Sequence, residues 1–298
     1  MRAFVAISSI AVAAALLACP PVRAQEAEAR QWGISPFLGL YSPSLKALNR
    51  GLFRAPFEGT AQFIDPSTSN QESSFLLEMP LEPLNPSPMA GLEIQWRHND
   101  RNLLLFGVGT WQARSSVSGV TIMPIQGALE NIDAQRNASL SYTEFYLGWR
   151  HVMRSEPGKY RLYLAGTLHQ MYDINYREDF TTIFLSGDAR SFRKTSVTLA
   201  QTTGAVLLQG TAGGEWFISN RISLGLEGSY DLGIRKMDLG NAQLLTDFLT
   251  TDNVIIHYPG QAGDNGRMQY KTGPDGEYRD LKLDFSGWKA AIKATYYF

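Results

Sequence analysis

An antiparallel β-barrel that crosses a membrane with its strands is the fold this sequence predicts, and three observations predict it. The stretch Trp288 to Phe298 alternates, with Trp288, Ala290, Ile292, Ala294, Tyr296 and Phe298 on one face. A period of two puts those six side chains on one side of a strand, and a closing aromatic face suits a membrane interface better than water. Short turns and long connections alternate along the chain, as they do where one end of a barrel carries turns and the other carries loops. The tryptophans fall at two levels. Trp32, Trp96, Trp149 and Trp216 lie near the turn side of their strands, with Trp111 and Trp288 about ten residues away on theirs. At roughly 3.3 Å per residue and a tilt near 45°, ten residues span about 23 Å, close to the apolar band between two aromatic girdles.

The start of the chain reads as a secretory signal, residues 1–24. Met1 and Arg2 are a positive start, Phe4 to Ala18 is apolar or small, and Val22-Arg23-Ala24 precedes a cleavage point before Gln25. That run is shorter than the roughly twenty residues of a spanning helix, and no later run is long enough, so insertion must use strands. Cys19 is the single cysteine and lies inside the signal. Leu16-Leu17-Ala18-Cys19 also looks like a lipoprotein cleavage box; Leu17 is bulkier than the residue usual there, Pro20-Pro21 would follow the lipidated Cys, and the second site fits better. A net charge of −1 with 18% charged residues argues against a nucleic-acid partner.

Residues 25–298 read as one barrel domain of eight strands, about Arg30–Tyr41, Gly91–His98, Asn102–Gln112, Ser139–Met153, Tyr160–Tyr176, Gly204–Ile218, Ile222–Ile234 and Leu281–Phe298. Lipid-facing sets are Leu92, Ile94 and Trp96 on the second, Phe145, Leu147 and Trp149 on the fourth, and Ile222, Leu224 and Leu226 on the seventh. The third has no clear face, because Leu103 to Phe106 are all apolar. On the eighth, Leu283 and Phe285 oppose the parity of Trp288, which predicts a bulge near Ser286-Gly287. Short turns are Asn99-Asp100-Arg101, Arg154–Lys159 and Ser219-Asn220-Arg221; long loops are about 42–90, 113–138, 177–203 and 235–280. An edge strand of a soluble sandwich or lipocalin-like barrel shares the period but needs no such asymmetry between its ends. A ten- or twelve-stranded barrel is the alternative count, if Phe57–Ile64 with Ser74–Met79, and Val254–Tyr258 with Met268–Lys271, form spanning hairpins. Hairpins projecting above the membrane are preferred, for want of a fourth short turn.

On the terminal Phe298 and the alternate apolar positions before it, the chain resembles small outer-membrane β-barrels, the class typified by outer membrane proteins A, X and W. The resemblance implies a closing strand read by the barrel-assembly machinery, an outer-membrane location with both termini periplasmic, and lipid and lipopolysaccharide as surroundings. The aromatic girdle would be Trp32, Trp96, Trp111, Trp149, Trp216, Trp288, Tyr296 and Phe298.

The opposite parity sends Glu93, Arg97, Glu144, Arg150, Arg161, Asp173, Glu215, Glu227, Asp231, Lys289 and Lys293 into the lumen. Eight strands enclose a space just wide enough for side chains. Charges there must be paired, so an ionic plug is expected in place of an open pore. His169 and Asp173, with Ser141 and Tyr142 on the next strand, form a second candidate, a His, an acid and a hydroxyl for hydrolysis of envelope lipids. Lumen placement is wrong for acyl chains, so no catalytic residue is assigned and no enzyme is expected. His98, His151 and His257 lack ligand-spaced partners, Asp264-Asn265-Gly266 and Asp275-Gly276-Glu277 lack a calcium ladder, and neither metal nor cofactor is expected.

Ser44 could cap a helix with Leu45, Leu48, Leu52 and Phe53 on one side, and Gly240–Thr251 could form a second with Leu244, Leu245 and Phe248. They would cover the mouth, or frame an apolar cleft for a small solute or a surface protein, in which sense the outer membrane protein W family is similar. The expected role is structural or loop-mediated binding, with passive uptake of a small, apolar solute as the alternative.

Overall fold

The computed structural model describes residues 31–65, 68–125, 128–156, 159–184, 193–202, 204–240, 243–244, 247–251, 254–263, 266–271 and 276–298. The signal segment with Cys19, and Asp264, Asn265 and Asp275 of the acidic turns, lie outside them.

Eight antiparallel strands close into a ring: β1 (Trp32–Pro43), β2 (Ser87–Asn99), β3 (Asn102–Ile125), β4 (Ala128–Glu156), β5 (Tyr160–Phe184), β6 (Ala205–Phe217), β7 (Ile222–Gly233) and β8 (Gly287–Tyr297). Closure joins β1 to β8, from Gly33 opposite Tyr297 to Pro43 opposite Gly287. Side chains alternate cleanly because the two faces meet different solvents. On β8, Lys289, Ala291, Lys293, Thr295 and Tyr297 are buried, while Trp288 is 68% and Ile292 60% exposed. On β7, Ser223, Glu227, Ser229 and Asp231 point in and Leu224, Leu226 and Leu232 point out. Charged inside and apolar outside, the barrel is inverted relative to a soluble one, as a transmembrane barrel must be.

Strands β3, β4 and β5 run for 24, 29 and 25 residues, far beyond the predicted spans. The stretches read as loops at 113–138 and 177–203 are in large part strand, because the antiparallel pairing of β3 with β4 and of β4 with β5 continues through them, and Arg193–Thr202 pairs along β5. Arg193–Thr202 carries the register of β6 upward along β5, with Thr202 opposite Ile174 and Ala205 opposite Met171. At the join Gly204 takes a φ of +92°, open to glycine.

The long-loop end is capped from within. Leu45, Leu48, Leu52, Phe53, Phe57, Met79, Leu81, Met237, Leu239, Tyr258, Met268 and Leu283 pack over Trp111, Tyr142, Met171, Ile174 and Phe180 of the wall as one apolar core. The predicted first helix is present as α1 (Lys46–Arg50) and a 3-10 turn, Leu52–Arg54, but Leu45, with φ +38°, is its N-cap residue and no side chain caps it; Ser44 does not. The second predicted helix is a correction. Gln243–Leu244 and Asp247–Thr251 are strands, since pairing with neighbouring strands outweighs a short run of helical spacing. Phe57–Asp65 pairs with Thr68–Leu77, as foreseen. Val254–His257, by contrast, pairs with Asp247–Thr251 and Phe57–Asp65, and Met268–Lys271 pairs with Gly260–Ala262 and Tyr278–Asp280. None of these hairpins enters the ring. The last strand of the ring begins at Gly287, where a bulged strand from Leu281 was expected. Leu283 reaches the cap core from a two-residue strand, Lys282–Leu283, paired with Met237–Asp238, and Leu281 and Phe285 reach it from the irregular residues on either side.

Candidate functional site

Below the cap the lumen is polar, and antiparallel pairing decides which side chains meet there. Leu103 lies opposite Arg150, Gly107 opposite Tyr146, Gly109 opposite Glu144 and Trp111 opposite Tyr142. Paired residues share a face, so the odd positions of β3 point inward with the charges of β4. Gly107 is required there, because a Cβ would lie 2.1 Å from the Tyr146 ring.

Nine of the eleven predicted lumen charges are buried, and they form three groups. In the first, Arg150 Nη2 donates to Glu93 Oε1 at 2.8 Å and Glu227 Oε1 at 2.9 Å, and Lys293 Nζ meets Glu93 Oε2 at 2.8 Å and Glu227 Oε2 at 2.7 Å. Two cations and two carboxylates thus close a ring across four strands. The hydroxyls of Tyr146 and Tyr163 donate into it, to Glu93 at 3.1 Å and Glu227 at 2.7 Å, and the Arg150 guanidinium lies 4.1 Å over the Tyr163 ring. Toward the cap, Lys289 Nζ bridges Glu144 at 3.0 Å and Asp231 at 2.9 Å, 4.8 Å over the Tyr41 ring. Toward the short turns, Arg161 meets Glu215 at 3.1 Å, and Tyr297 and Ser223 donate to the same carboxylate.

Three placements differ from the sequence reading. Asp173 is exposed, with φ +52°, at a bulge where Asp173 and Ile174 face the single residue Tyr142; the inserted residue breaks the count of two from His169. Arg97 sits at the short-turn rim, paired with Asp100 at 2.8 Å. Trp111 belongs to no girdle. It is 1% exposed, 5.4 Å from Tyr142 and 5.8 Å from Tyr41, centroid to centroid, in the cap core. Trp32, Trp149, Trp216, Trp288, Tyr296 and Phe298 do face outward, with Trp96 partly covered by Trp32 at 6.3 Å. At the long-loop level the outer aromatics are Trp288 with Tyr230, 4.8 Å apart, and Tyr172 with Phe145.

His169 is buried, its Nδ1 3.1 Å from Glu144 and its Nε2 2.8 Å from the Thr167 hydroxyl, stacked 4.7 Å from Tyr146. The bulge turns Asp173 away, so the predicted His169–Asp173 pair does not form; the acid and hydroxyl at the ring are instead Glu144 and Thr167. The narrow space beside it, about 30 Å³, has room for one or two water molecules. Among the described residues no three His, Cys, Asp or Glu side chains are placed to hold a metal ion.

Sequence reasoning missed the tyrosines, although Tyr146, Tyr163 and Tyr297 share the parity of Glu144, Arg161 and Thr295. It also missed Arg136 and Glu178, which lie in stretches read as loops. Arg136 is fully buried above the outer aromatic level. Its Nε donates to Glu178 at 2.5 Å and its Nη atoms donate to the carbonyls of Met79 at 2.9 Å and Leu52 at 3.1 Å, so it ties the cap to the wall. Tyr258 donates to Glu178 at 2.6 Å, and Tyr176 donates to the same oxygen. Burial, then the charge of Glu178, push the Tyr258 phenol above its ordinary value; burial opposes the charge of Arg136, but Glu178 outweighs it and raises that group too.

Together these features define a class: an eight-stranded transmembrane β-barrel with an ion-paired lumen and an apolar cap core. No protein-family model and no curated protein matches the chain. Among solved structures it is similar to CarO2 of Acinetobacter baumannii, at 12% identity over 82% of this chain and 99% of that one with a TM-score of 0.31. It is also similar to Ail, the attachment invasion locus protein of Yersinia pestis, at 9% over 89% and 99% with 0.25. The outer-membrane protease OmpT of Escherichia coli follows, at 7% over 89% and 97% with 0.27. Likeness at this level says nothing of activity, and function must come from the chain's own residues.

Proposed function

We propose that this protein is an integral outer-membrane barrel closed to solutes, acting as a structural element and as a rigid platform for binding by its surface loops. One observation carries the reading: the lumen is filled twice over, by the Arg150–Glu93–Lys293–Glu227 ring below and the cap core above. A conducting barrel needs a continuous polar path, and an uptake barrel for a small apolar solute needs an apolar one. The first path ends at Trp111 and Phe53, the second at the ion pairs. The proposal includes both termini in the periplasm, insertion by the barrel-assembly machinery through the strand ending in Phe298, and a surface protein as the partner of the loops. It assigns no chemistry to His169, whose ring is enclosed by Glu144, Thr167 and Tyr146.

Planar-bilayer recording of the purified protein tests this. Little or no unit conductance is expected at neutral pH; large, stable steps would transfer the weight to a channel.

A further inference from the structure

Where the cap meets the outer wall, a groove of about 530 Å³ opens sideways toward the membrane, above the long-loop aromatic level. Its floor is Trp288 and Tyr230, adjacent partners on β8 and β7, both exposed on the lipid side. Its roof is α1 and the turn after it, which bring Lys46, Arg50 and Arg54 to the groove with their side chains exposed. No acid lines it. Among the described residues none of the three cations meets a carboxylate within ion-pair distance, whereas the lumen cations all do. The backbone beneath is firmly held. Ser44 and Leu45 donate to the carbonyls of Ser286 and Asp284 at 2.8 and 3.0 Å, and Leu45, Leu48 and Leu52 anchor the segment in the cap core.

We propose that this groove binds the phosphate-bearing headgroup of a lipid in the outer leaflet. Resting on the outer-membrane reading above, the argument is one of level and charge. Three uncompensated cations stand at the height where a neighbouring lipid's phosphates lie, over a Trp–Tyr pair suited to the junction of headgroup and acyl chain. Two arginines supply planar forks for phosphate oxygens and the lysine a point charge. Facing the bilayer sideways, the site is open to a lipid that diffuses in the leaflet.

The test is retention of diphosphorylated lipid A by the full chain folded in zwitterionic micelles, read by native mass spectrometry. The triple change Lys46→Gln, Arg50→Gln and Arg54→Gln is compared with Arg101→Gln, Arg154→Gln and Arg221→Gln at the opposite end. At roughly fivefold per cation near an anionic surface, the first triple should lose retention by about 100-fold and the second by little. Dephosphorylated lipid A should bind poorly to the unchanged protein, and millimolar inorganic phosphate should not displace the lipid. Equal retention by the first triple, equal loss in both triples, binding indifferent to the lipid's phosphates, or displacement by free phosphate would each overturn the assignment. Heat-modifiable gel mobility of each variant reports its fold. Failure of the unchanged chain to fractionate with membranes would defeat the outer-membrane reading instead, and is read separately.

Discussion

Arg150 shows how the interior is held at the scale of one residue. Its guanidinium serves Glu93 and Glu227 together, and Lys293 serves the same two acids from the other side, so no charge in the ring can be removed without stranding another. Bringing charges out of water is costly, and breaking a buried pair typically costs about 3–5 kcal/mol because the partner is left uncompensated. Arg150→Met should therefore lower the barrel's unfolding free energy in urea by an amount of that order. Arg97→Met, which removes an ion pair whose Asp100 side chain is 95% exposed, should stay within about 1 kcal/mol. Equal shifts in the two variants would mean that the interior is hydrated and the ring carries little. The same network was partly legible in the sequence. Counting by twos from Glu144 or Lys289 finds the right face, because lipid excludes charge from the other. It fails at Asp173, where a bulge inserts a residue, and at Trp111, where the apolar run Leu103–Phe106 hides the parity of β3 until Glu144 fixes it from the neighbouring strand.

At the scale of elements, the long β3–β4–β5 wall and the cap are joined by Arg136 and Glu178. A 29-residue β4 at roughly 3.3 Å per residue and a tilt near 45° rises about 68 Å, against an apolar band of about 25 Å, so much of it stands clear of the membrane. This projection was not legible. Outside lipid both faces of a strand meet water or a cap, the alternation fades, and residues 113–138 and 177–203 look like loops. The Tyr258 phenol, raised by burial and by Glu178, supplies a pH signature. A group whose folded-state pKa is raised contributes stability that is intact below its unfolded value, near 10.0, and lost as pH climbs past it. Taking the folded protein from pH 8 to above 10 should therefore expose the cap to protease while the barrel keeps its heat-modifiable mobility. Glu178→Gln, which leaves Arg136 buried without its counter-charge, should do the same at pH 8. A cap equally resistant in all three conditions would refute the lock.

For the whole molecule, one rule accounts for most of the chain: lipid is the solvent of the outer face, and a filled interior is the price of so narrow a ring. The eight strands were legible because that rule writes a period of two into β1, β2, β7 and β8. Of the cap, the Leu45–Phe53 segment and the Phe57 hairpin were legible, and the rest was not, because its core follows no single period. Single-tryptophan variants in bilayers of brominated lipid test the rule most directly. Trp288 alone and Trp149 alone, 68% and 42% exposed on the outer wall, should be strongly quenched, and Trp111 alone, 1% exposed in the interior, should be quenched hardly at all. Trp111 quenched as strongly as Trp288, or no quenching at any of the three, would contradict the account.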